Sequence, residues 1–282
     1  MTIKITRAQF LSVAAIAALG LSACGGTTGT EKETGKAPAE KGGVVTLKVG
    51  ASPSPHADIL KFIDENLAAK HGLDLEIVEY SDYVLPNEAL KSGELDANYF
   101  QTLPYLEDQG PKLGLQGTAG KGVHLEPLGL YSAKIKDVKD LPEGGTIGII
   151  ADTVNQARAL RLLESVGLVE VPKEGDINIF TVKKLKNFEW KEVEGAQLVR
   201  SLPDVDAAVI NGNFAQEGGL SFNKDAIVGE PTENNPASNL LVWRSEDDGN
   251  EAIKKLEELL HSDEVREFIK QKWTDGSVIP VF

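Results

Sequence analysis

The 282 residues of this chain are enough for one large domain or for two smaller ones, each with its own hydrophobic core. Apolar residues make up 41% and charged residues 26%, an ordinary globular composition that excludes a disordered chain and a protein with many membrane spans. The net charge of −14 makes nucleic acid an unfavourable partner, and the single cysteine excludes an internal disulfide or a zinc site built from thiolates.

The first 24 residues have the pattern of a bacterial export signal. Lys4 and Arg7 lie in a start without acidic residues, and residues 11–21 form an apolar run followed by small residues. The run is too short to cross a bilayer as a helix, so we expect no permanent transmembrane segment. Residues 21–24 (LSAC) resemble the lipobox of bacterial lipoproteins, whose cysteine is lipidated and becomes the first mature residue. We predict a signal peptide over 1–23 and a palmitate-bearing Cys24; the alternative is a plain secretory signal with a chance cysteine.

Residues 24–43 are predicted to form the lipidated cysteine and a flexible tether. The segment after Cys24 contains Gly, Thr, Glu, Lys and Pro and almost no apolar residue. Such a segment cannot offset its conformational entropy by burying side chains, so we expect it to lie outside the fold. The acyl chains are expected to anchor the protein in the cell membrane, on its extracytoplasmic side.

From residue 44 onward the sequence alternates strand and helix patterns, and it does so twice. The first series predicts strands at 44–49 and 73–80, helices at 59–67 and 84–91, and an aromatic-rich segment at 98–106. The second series predicts strands at 146–150 and 206–210, and helices at 155–166, 196–202 and 246–273. Strands separated by helices favour parallel α/β sheets, and two successive series indicate two lobes.

The sequence contains no common catalytic signature. It has no GxSxG elbow, P-loop, GxGxxG or HExxH motif, and His56, His71, His124 and His261 lie far apart. Three of them could meet around a metal, but isolated histidines are more often surface or helix-end residues. We therefore predict no metal and no cofactor, and a membrane-anchored enzyme is the weaker class.

Polar side chains occur next to several predicted strands, where open α/β sheets bind their ligands. These candidates are Asn98, Asn155, Arg158, Asn211 and Asn239. Carboxamides both donate and accept hydrogen bonds, and an arginine can bind a carboxylate through two parallel hydrogen bonds, so the set suits a zwitterion. For each asparagine alone, a turn or cap role is an equal alternative, as is a surface salt bridge for Arg158.

Several segments resemble the NlpA/MetQ lipoproteins, the substrate-binding components of methionine-type ABC importers. The resemblance spans essentially 44–282, behind the expected lipobox. It is carried by 82–90 (DYVLPNEAL), 93–101 (GELDANYFQ), 104–106, 49–51 with 55–57, 123–132 (VHLEPLGLYS), 208–211 and 239–242.

The resemblance implies an α/β, two-lobed periplasmic-binding-protein-like fold (type II) with two hinge crossovers and a ligand between the lobes. We place the first crossover near 130–134 and the second near 238–243. Lobe 1 is then 44–130 plus 241–282, and lobe 2 is 131–240. The implied partners are an amino acid, most simply methionine, an ABC permease and its ATPase.

The resemblance also implies roles for individual residues. Arg158 would bind the ligand carboxylate with Asn155 beside it, and Asn211 and Asn239 would hold the amino-acid head group. Tyr83, Phe100 and Tyr105 would form an aromatic wall around the ligand side chain, ordinary core packing being the alternative for these three.

Two positions depart from the family pattern. Thr102 stands where many relatives have a histidine, and Ala151 stands where relatives tend to have an asparagine before Asp152. The loss of an imidazole from the side-chain pocket leaves open another apolar amino acid, a short methionine-containing peptide or a metal as the ligand. The sequence therefore predicts a solute-binding lipoprotein, with an anchored enzyme or a surface adhesin as the competing classes.

Overall fold

The computed structural model describes residues 40–41 and 43–282; the predicted signal peptide, Cys24 and most of the tether lie outside the described residues. The strands in this part are β1 (Glu40–Lys41), β2 (Val44–Ala51), β3 (Leu73–Glu79), β4 (Ala97–Thr102), β5 (Gly117–Leu125), β6 (Gly129–Tyr131), β7 (Gly145–Ile150), β8 (Val169–Glu170), β9 (Lys183–Lys184), β10 (Phe188–Val193), β11 (Ala207–Ile210), β12 (Ala226–Gly229), β13 (Ser238–Arg244) and β14 (Ile279–Pro280). The α-helices are α1 (Asp58–Asn66), α2 (Leu85–Ser92), α3 (Leu103–Leu113), α4 (Thr153–Ser165), α5 (Leu198–Ser201), α6 (Gly212–Glu217), α7 (Phe222–Asp225), α8 (Glu251–Leu260) and α9 (Asp263–Lys272).

The first sheet has the strand order β1-β2-β4-β13-β5-β14, and β3 also pairs with β2. One of its cores joins Leu47 of β2 and Leu241 of β13 to α1, α8 and α9. The neighbouring β13 residues Leu240 and Val242 pack with α2 and α3 in a separate core, because successive side chains of a strand point to opposite faces. Helices therefore cover both faces of this sheet.

The second sheet has the strand order β10-β7-β11-β6-β12 and is also covered on both faces. Ile147 and Val209 pack against α4, whereas Ala208 and Ile210 pack with α5 and α6. The chain thus has the predicted α/β fold with two lobes, each built on its own sheet, and two crossovers between them.

The sheets are mixed, which corrects the prediction of parallel sheets. β13 runs antiparallel to both β4 and β5, and β6 runs antiparallel to both β11 and β12. The reason lies in the crossovers: β5 leaves the first sheet and β13 returns to it, so the two run in opposite directions side by side. The same holds for β6 and β12 in the second sheet.

The chain changes sheet at 126–128 and again at 230–237, slightly earlier than each predicted crossover. Leu130 already pairs with β11 in the second sheet, and Ser238 already pairs with β5 in the first. The two connecting segments contact each other, since the Glu230 N–H donates to the Leu128 carbonyl at 2.8 Å.

Two further predictions need correction. Glu40 and Lys41 pair with β2, so the end of the predicted tether belongs to the first sheet; ladder hydrogen bonds need no apolar side chain. The predicted helix over 246–273 is two helices, because the Ser262 hydroxyl accepts from the Val265 N–H and begins α9 separately. None of the helices in the described part of the chain combines the length and apolar composition that crossing a bilayer requires.

Candidate functional site

A cavity lies between the two sheets, with an empty volume of about 370 Å³ that includes space open to solvent. Elements of the first sheet contribute His56, Tyr83, Phe100, Gln101, Thr102, Tyr105 and Asn239 to its wall. Elements of the second sheet contribute Asn155, Arg158, Asn211, Gly212 and Asn213, and the first crossover contributes Glu126. Seven of the eight predicted ligand-binding residues therefore lie on one cavity.

Arg158 is placed in the cavity wall by α4, which begins directly after the buried strand β7. The Asp152 carboxylate caps this helix by accepting from the Asn155 N–H at 2.8 Å. The Arg158 guanidinium donates from Nε and Nη2 to the Glu230 carboxylate at 2.7 and 2.5 Å, and from Nη2 to the Glu126 carbonyl at 2.6 Å. Its Nη1 group makes no hydrogen bond to the described residues, so it remains available to a ligand.

Two of the predicted asparagines contact each other. The Asn211 Nδ2 donates to the Asn155 Oδ1 at 2.9 Å, and the Asn155 Nδ2 donates to the Asp152 carboxylate at 3.1 Å. This chain of hydrogen bonds fixes the orientation of both carboxamides beside Arg158. On the other side of the cavity, the Asn239 Oδ1 lies 3.0 Å from the His56 Nε2.

The aromatic residues form one wall. The ring centroid of Tyr83 lies 5.9 Å from that of Phe100, 5.7 Å from that of Tyr105 and 4.8 Å from that of Phe214. The Tyr83 hydroxyl donates to the Asn213 Oδ1 at 2.5 Å, which connects the first lobe to α6 of the second. Burial raises the pKa of the Tyr83 and Tyr105 hydroxyls, so both stay neutral donors at physiological pH.

Thr102 also lines the cavity, at the position where the family pattern has a histidine. It is the residue before α3, and its Oγ1 accepts from the Tyr105 N–H at 3.4 Å. Its hydroxyl is therefore used partly as a helix cap, and the methyl group adds apolar surface near the aromatic wall.

Asn98 does not line the cavity, unlike the other predicted residues. It lies within β4 and is fully buried. Its Nδ2 donates to the Asn87 Oδ1 at 2.9 Å, and its Oδ1 accepts from the Gln101 Nε2 at 2.9 Å. Asn98 thus holds Gln101 in the wall from behind, and we correct its assignment as a ligand contact.

The most important group that the sequence analysis did not select is Glu126. Its Oε1 lies 2.9 Å from the His124 Nε2 and 3.4 Å from the His56 Nε2, whereas its buried Oε2 accepts no hydrogen bond from the described residues. Burial raises the pKa of Glu126 to about 7, and nearby His56, Arg158 and the backbone N–H of Asn213 oppose this shift. The sequence does point to these two residues, because both His56 and Glu126 lie in segments that carry the family resemblance.

Within the described part of the chain, His56, His124 and Glu126 form the cluster of side chains that could hold a metal. Donor atoms of His56, His124 and Glu126 all lie within 4.8 Å of one another, and two histidines with a glutamate are a common zinc donor set. Burial lowers the pKa of His56 to about 4 and that of His124 to about 3, so both rings are neutral at pH 7. The His124 Nε2 is within hydrogen-bond distance of the Glu126 Oε1 (2.9 Å), and the His56 Nε2 is within hydrogen-bond distance of the Asn239 Oδ1 (3.0 Å), so both ring nitrogens already have partners.

Comparison with known proteins identifies the family. The NlpA lipoprotein family model matches residues 47–282. The methionine-binding lipoprotein MetQ of Bacillus subtilis is 37% identical over 268 residues, which cover 93% of both chains.

Solved structures give the same result at the level of the fold. A lipoprotein of Actinomyces odontolyticus is 60% identical, with a TM-score of 0.82 over 84% of this chain and 99% of that one. A nutrient-binding protein of Burkholderia cenocepacia bound to methionine is 36% identical, with a TM-score of 0.80 over 84% of this chain and all of that one. Since the family model covers most of the sequence and these relatives match over most of their length, the chain belongs to the NlpA lipoprotein family.

Proposed function

We propose that this protein is the extracytoplasmic substrate-binding lipoprotein of an ABC importer and that it binds methionine between its two lobes. The observation that carries the proposal is the cavity itself. Around one space lie an arginine whose Nη1 group and a carboxylate whose Oε2 atom have no hydrogen-bond partner among the described residues, together with an aromatic wall. The methionine named in one relative and bound in one similar structure supports this choice of ligand.

The ligand carboxylate binds Arg158 in this proposal. The Nη1 group supplies two N–H donors, and the nearby N-terminus of α4 adds a favourable dipole for a negative charge. Asn155 and Asn211 lie beside this position and contribute carboxamide groups to the head group of the ligand.

The ligand ammonium group binds Glu126, with Asn239 close by. The free Oε2 is a buried acceptor without a partner among the described residues, and a charge-assisted hydrogen bond from an ammonium group would satisfy it. Because Glu230 already balances the charge of Arg158, Glu126 is the acid left to balance a bound cation.

The ligand side chain lies against Tyr83, Phe100 and Tyr105. A thioether is polarisable and makes favourable contacts with aromatic rings, which fits methionine. Thr102 leaves this part of the cavity without an imidazole, so the wall offers mainly apolar and hydroxyl groups.

The proposed mechanism is closure of two lobes about the crossovers, with no covalent chemistry. We place lobe 1 at 44–125 plus 238–282 and lobe 2 at 129–229. A ligand that contacts both lobes stabilises the closed form, which then docks on the permease, while the ATPase drives transport. The lipid on Cys24 keeps the protein at the extracytoplasmic face of the cell membrane and raises its effective concentration near the permease.

The test is calorimetric titration of the full-length lipoprotein in detergent with methionine, leucine and glycyl-methionine. Arg158→Ala is expected to lower methionine affinity by at least tenfold, since a hydrogen bond to a charged group contributes about 1.5–3 kcal/mol. Arg161→Ala is the matched control, because Arg161 lies one turn further along α4 and does not line this cavity. Full methionine affinity in the Arg158 variant would contradict the proposed site, and a preference for leucine or the dipeptide would change the ligand.

A further inference from the structure

The guanidinium of Arg158 is held along one edge by an acidic residue of the second crossover. Glu230 accepts from Nε through Oε1 at 2.7 Å and from Nη2 through Oε2 at 2.5 Å. The Arg158 and Glu230 side chains are only 15% and 11% exposed. This is a well-shielded, two-point ion pair, the geometry that orients an arginine most strictly.

The same carboxylate also connects the two crossovers. The Glu230 Oε2 accepts from the Leu128 N–H at 3.1 Å, and the Glu230 N–H donates to the Leu128 carbonyl. The Arg158 Nη2 donates to the Glu126 carbonyl, which lies in the first crossover. Arg158 is therefore bonded to both segments about which the lobes are expected to move.

The hydrogen bonds of the Arg158 guanidinium show which of its N–H donors Glu230 leaves without a partner. Arginine has five N–H donors. The single Nε donor and both Nη2 donors have partners in Glu230 and in the Glu126 carbonyl. The two Nη1 donors have no partner in the described part of the chain, so the ion pair leaves one end of the guanidinium for a ligand.

We propose that Glu230 is a positioning residue that holds Arg158 by its Nε–Nη2 edge and thereby directs Nη1 at the carboxylate of the bound amino acid. This role rests on the proposed function. The opposite role, in which Glu230 competes with the ligand for Arg158, predicts an effect of opposite sign on affinity. Removing a competing negative charge strengthens binding of a carboxylate, whereas removing a positioning group weakens it.

The experiment compares methionine with methionine amide, which lacks the carboxylate, on the full-length lipoprotein in detergent. Glu230→Gln is expected to weaken methionine binding at least tenfold and to change methionine amide binding less than twofold. The ratio of methionine affinity to methionine amide affinity is therefore expected to fall. Glu230→Asp keeps the charge but is one methylene shorter, and it is expected to give an intermediate preference and to serve if the glutamine variant does not fold.

Asp247→Asn is the matched control, because it removes a carboxylate from the Arg244 ion pair (2.6 Å), which is shielded from solvent and does not line the cavity. It should leave the preference unchanged. Equal or tighter methionine binding by Glu230→Gln would overturn the positioning role, as would an equal loss for both ligands, which indicates a merely structural effect. If the wild-type protein binds no methionine, the proposed function itself fails; normal wild-type binding with an unaffected variant removes only the role of Glu230.

Discussion

We predict that methionine affinity falls about tenfold when the pH is lowered from 8 to 6. The pKa of Glu126 is raised to about 7 by burial, so the carboxyl of the free protein is about 90% ionised at pH 8 and about 10% ionised at pH 6. The ligand ammonium group stays protonated over this range and needs the ionised carboxylate as its partner. Apparent affinity scales with the fraction of protein in which Glu126 is ionised. The binding free energy therefore becomes less favourable by about 1.4 kcal/mol.

The sign follows from the proton balance of binding. Ligand binding favours ionised Glu126 and so lowers its pKa, which means that about one proton is released per ligand at pH 6 and almost none at pH 8. Titration calorimetry in two buffers of different protonation enthalpy measures this release directly. Glu126→Gln is expected to bind more weakly at both pH values and to lose the pH dependence.

Other titratable groups near Glu126 could also change charge between pH 6 and 8 and so affect the measured affinity. The pKa of His56 is lowered to about 4 and that of His124 to about 3, so neither ring changes charge between pH 6 and 8. Burial raises the pKa of the Tyr83 and Tyr99 hydroxyls. Among the described residues that interact with Glu126, Glu217 on α6 is the confounding group, since burial raises its pKa to about 7 as well. Glu217→Gln should keep the pH dependence; a wild-type affinity independent of pH, or a dependence that persists in Glu126→Gln, would refute the reasoning.

Three further predictions concern other parts of the chain. Tyr83→Phe removes the hydrogen bond to Asn213 across the cavity and should weaken methionine binding by about 0.5–1.5 kcal/mol in calorimetry, with little change in thermal unfolding of the free protein; an unchanged affinity would argue against this bridge. Asn98→Ala removes the buried hydrogen bonds to the Pro86 carbonyl, Asn87 and Gln101, although Asn87 and Gln101 stay bonded to each other, and should lower the free energy of unfolding by about 1–3 kcal/mol in urea, while a large loss of affinity in the folded variant would return Asn98 to the binding site. Cys24→Ser should abolish incorporation of labelled palmitate and release the protein from the membrane fraction, and continued labelling would place the lipid elsewhere.

The parts of the fold that could be predicted from the sequence are those with local periodicity. The strands β2, β3, β7 and β11 are short apolar or alternating runs, and α1 and α4 have apolar residues at helical spacing. β5 was not predicted, because its sequence GTAGKGVHL contains three glycines and a lysine and has no alternation. It is a strand because β13 and β14, which lie far away in the sequence, pair with it on either side.

The residues of the candidate site also differ in how far local sequence patterns predict their positions. Asn155 and Asn211 begin helices directly after buried parallel strands, so the strand-end rule places them on the cavity without further information. Asn98 follows the same composition pattern but lies inside β4, where it points into a buried network. Glu126 and Glu230 lie in crossovers, whose position depends on which strands pair across the molecule. Local periodicity does not predict that position, although Glu126 lies in the 123–132 segment that resembles the family.

In the proposed mechanism, the contacts of Arg158 couple ligand binding to lobe closure. Its guanidinium is bonded to the Glu126 carbonyl in one crossover and to Glu230 in the other, and its Nη1 group has no hydrogen bond to the described residues. A ligand carboxylate that orders Nη1 therefore restrains both crossovers at once. A ligand shifts a two-state equilibrium only by the difference between its affinities for the two states. Ligand contacts at the hinge, made in the closed form, contribute directly to that difference. Substitutions in the 230–237 crossover that leave every cavity residue in place should then change affinity through the closure equilibrium alone.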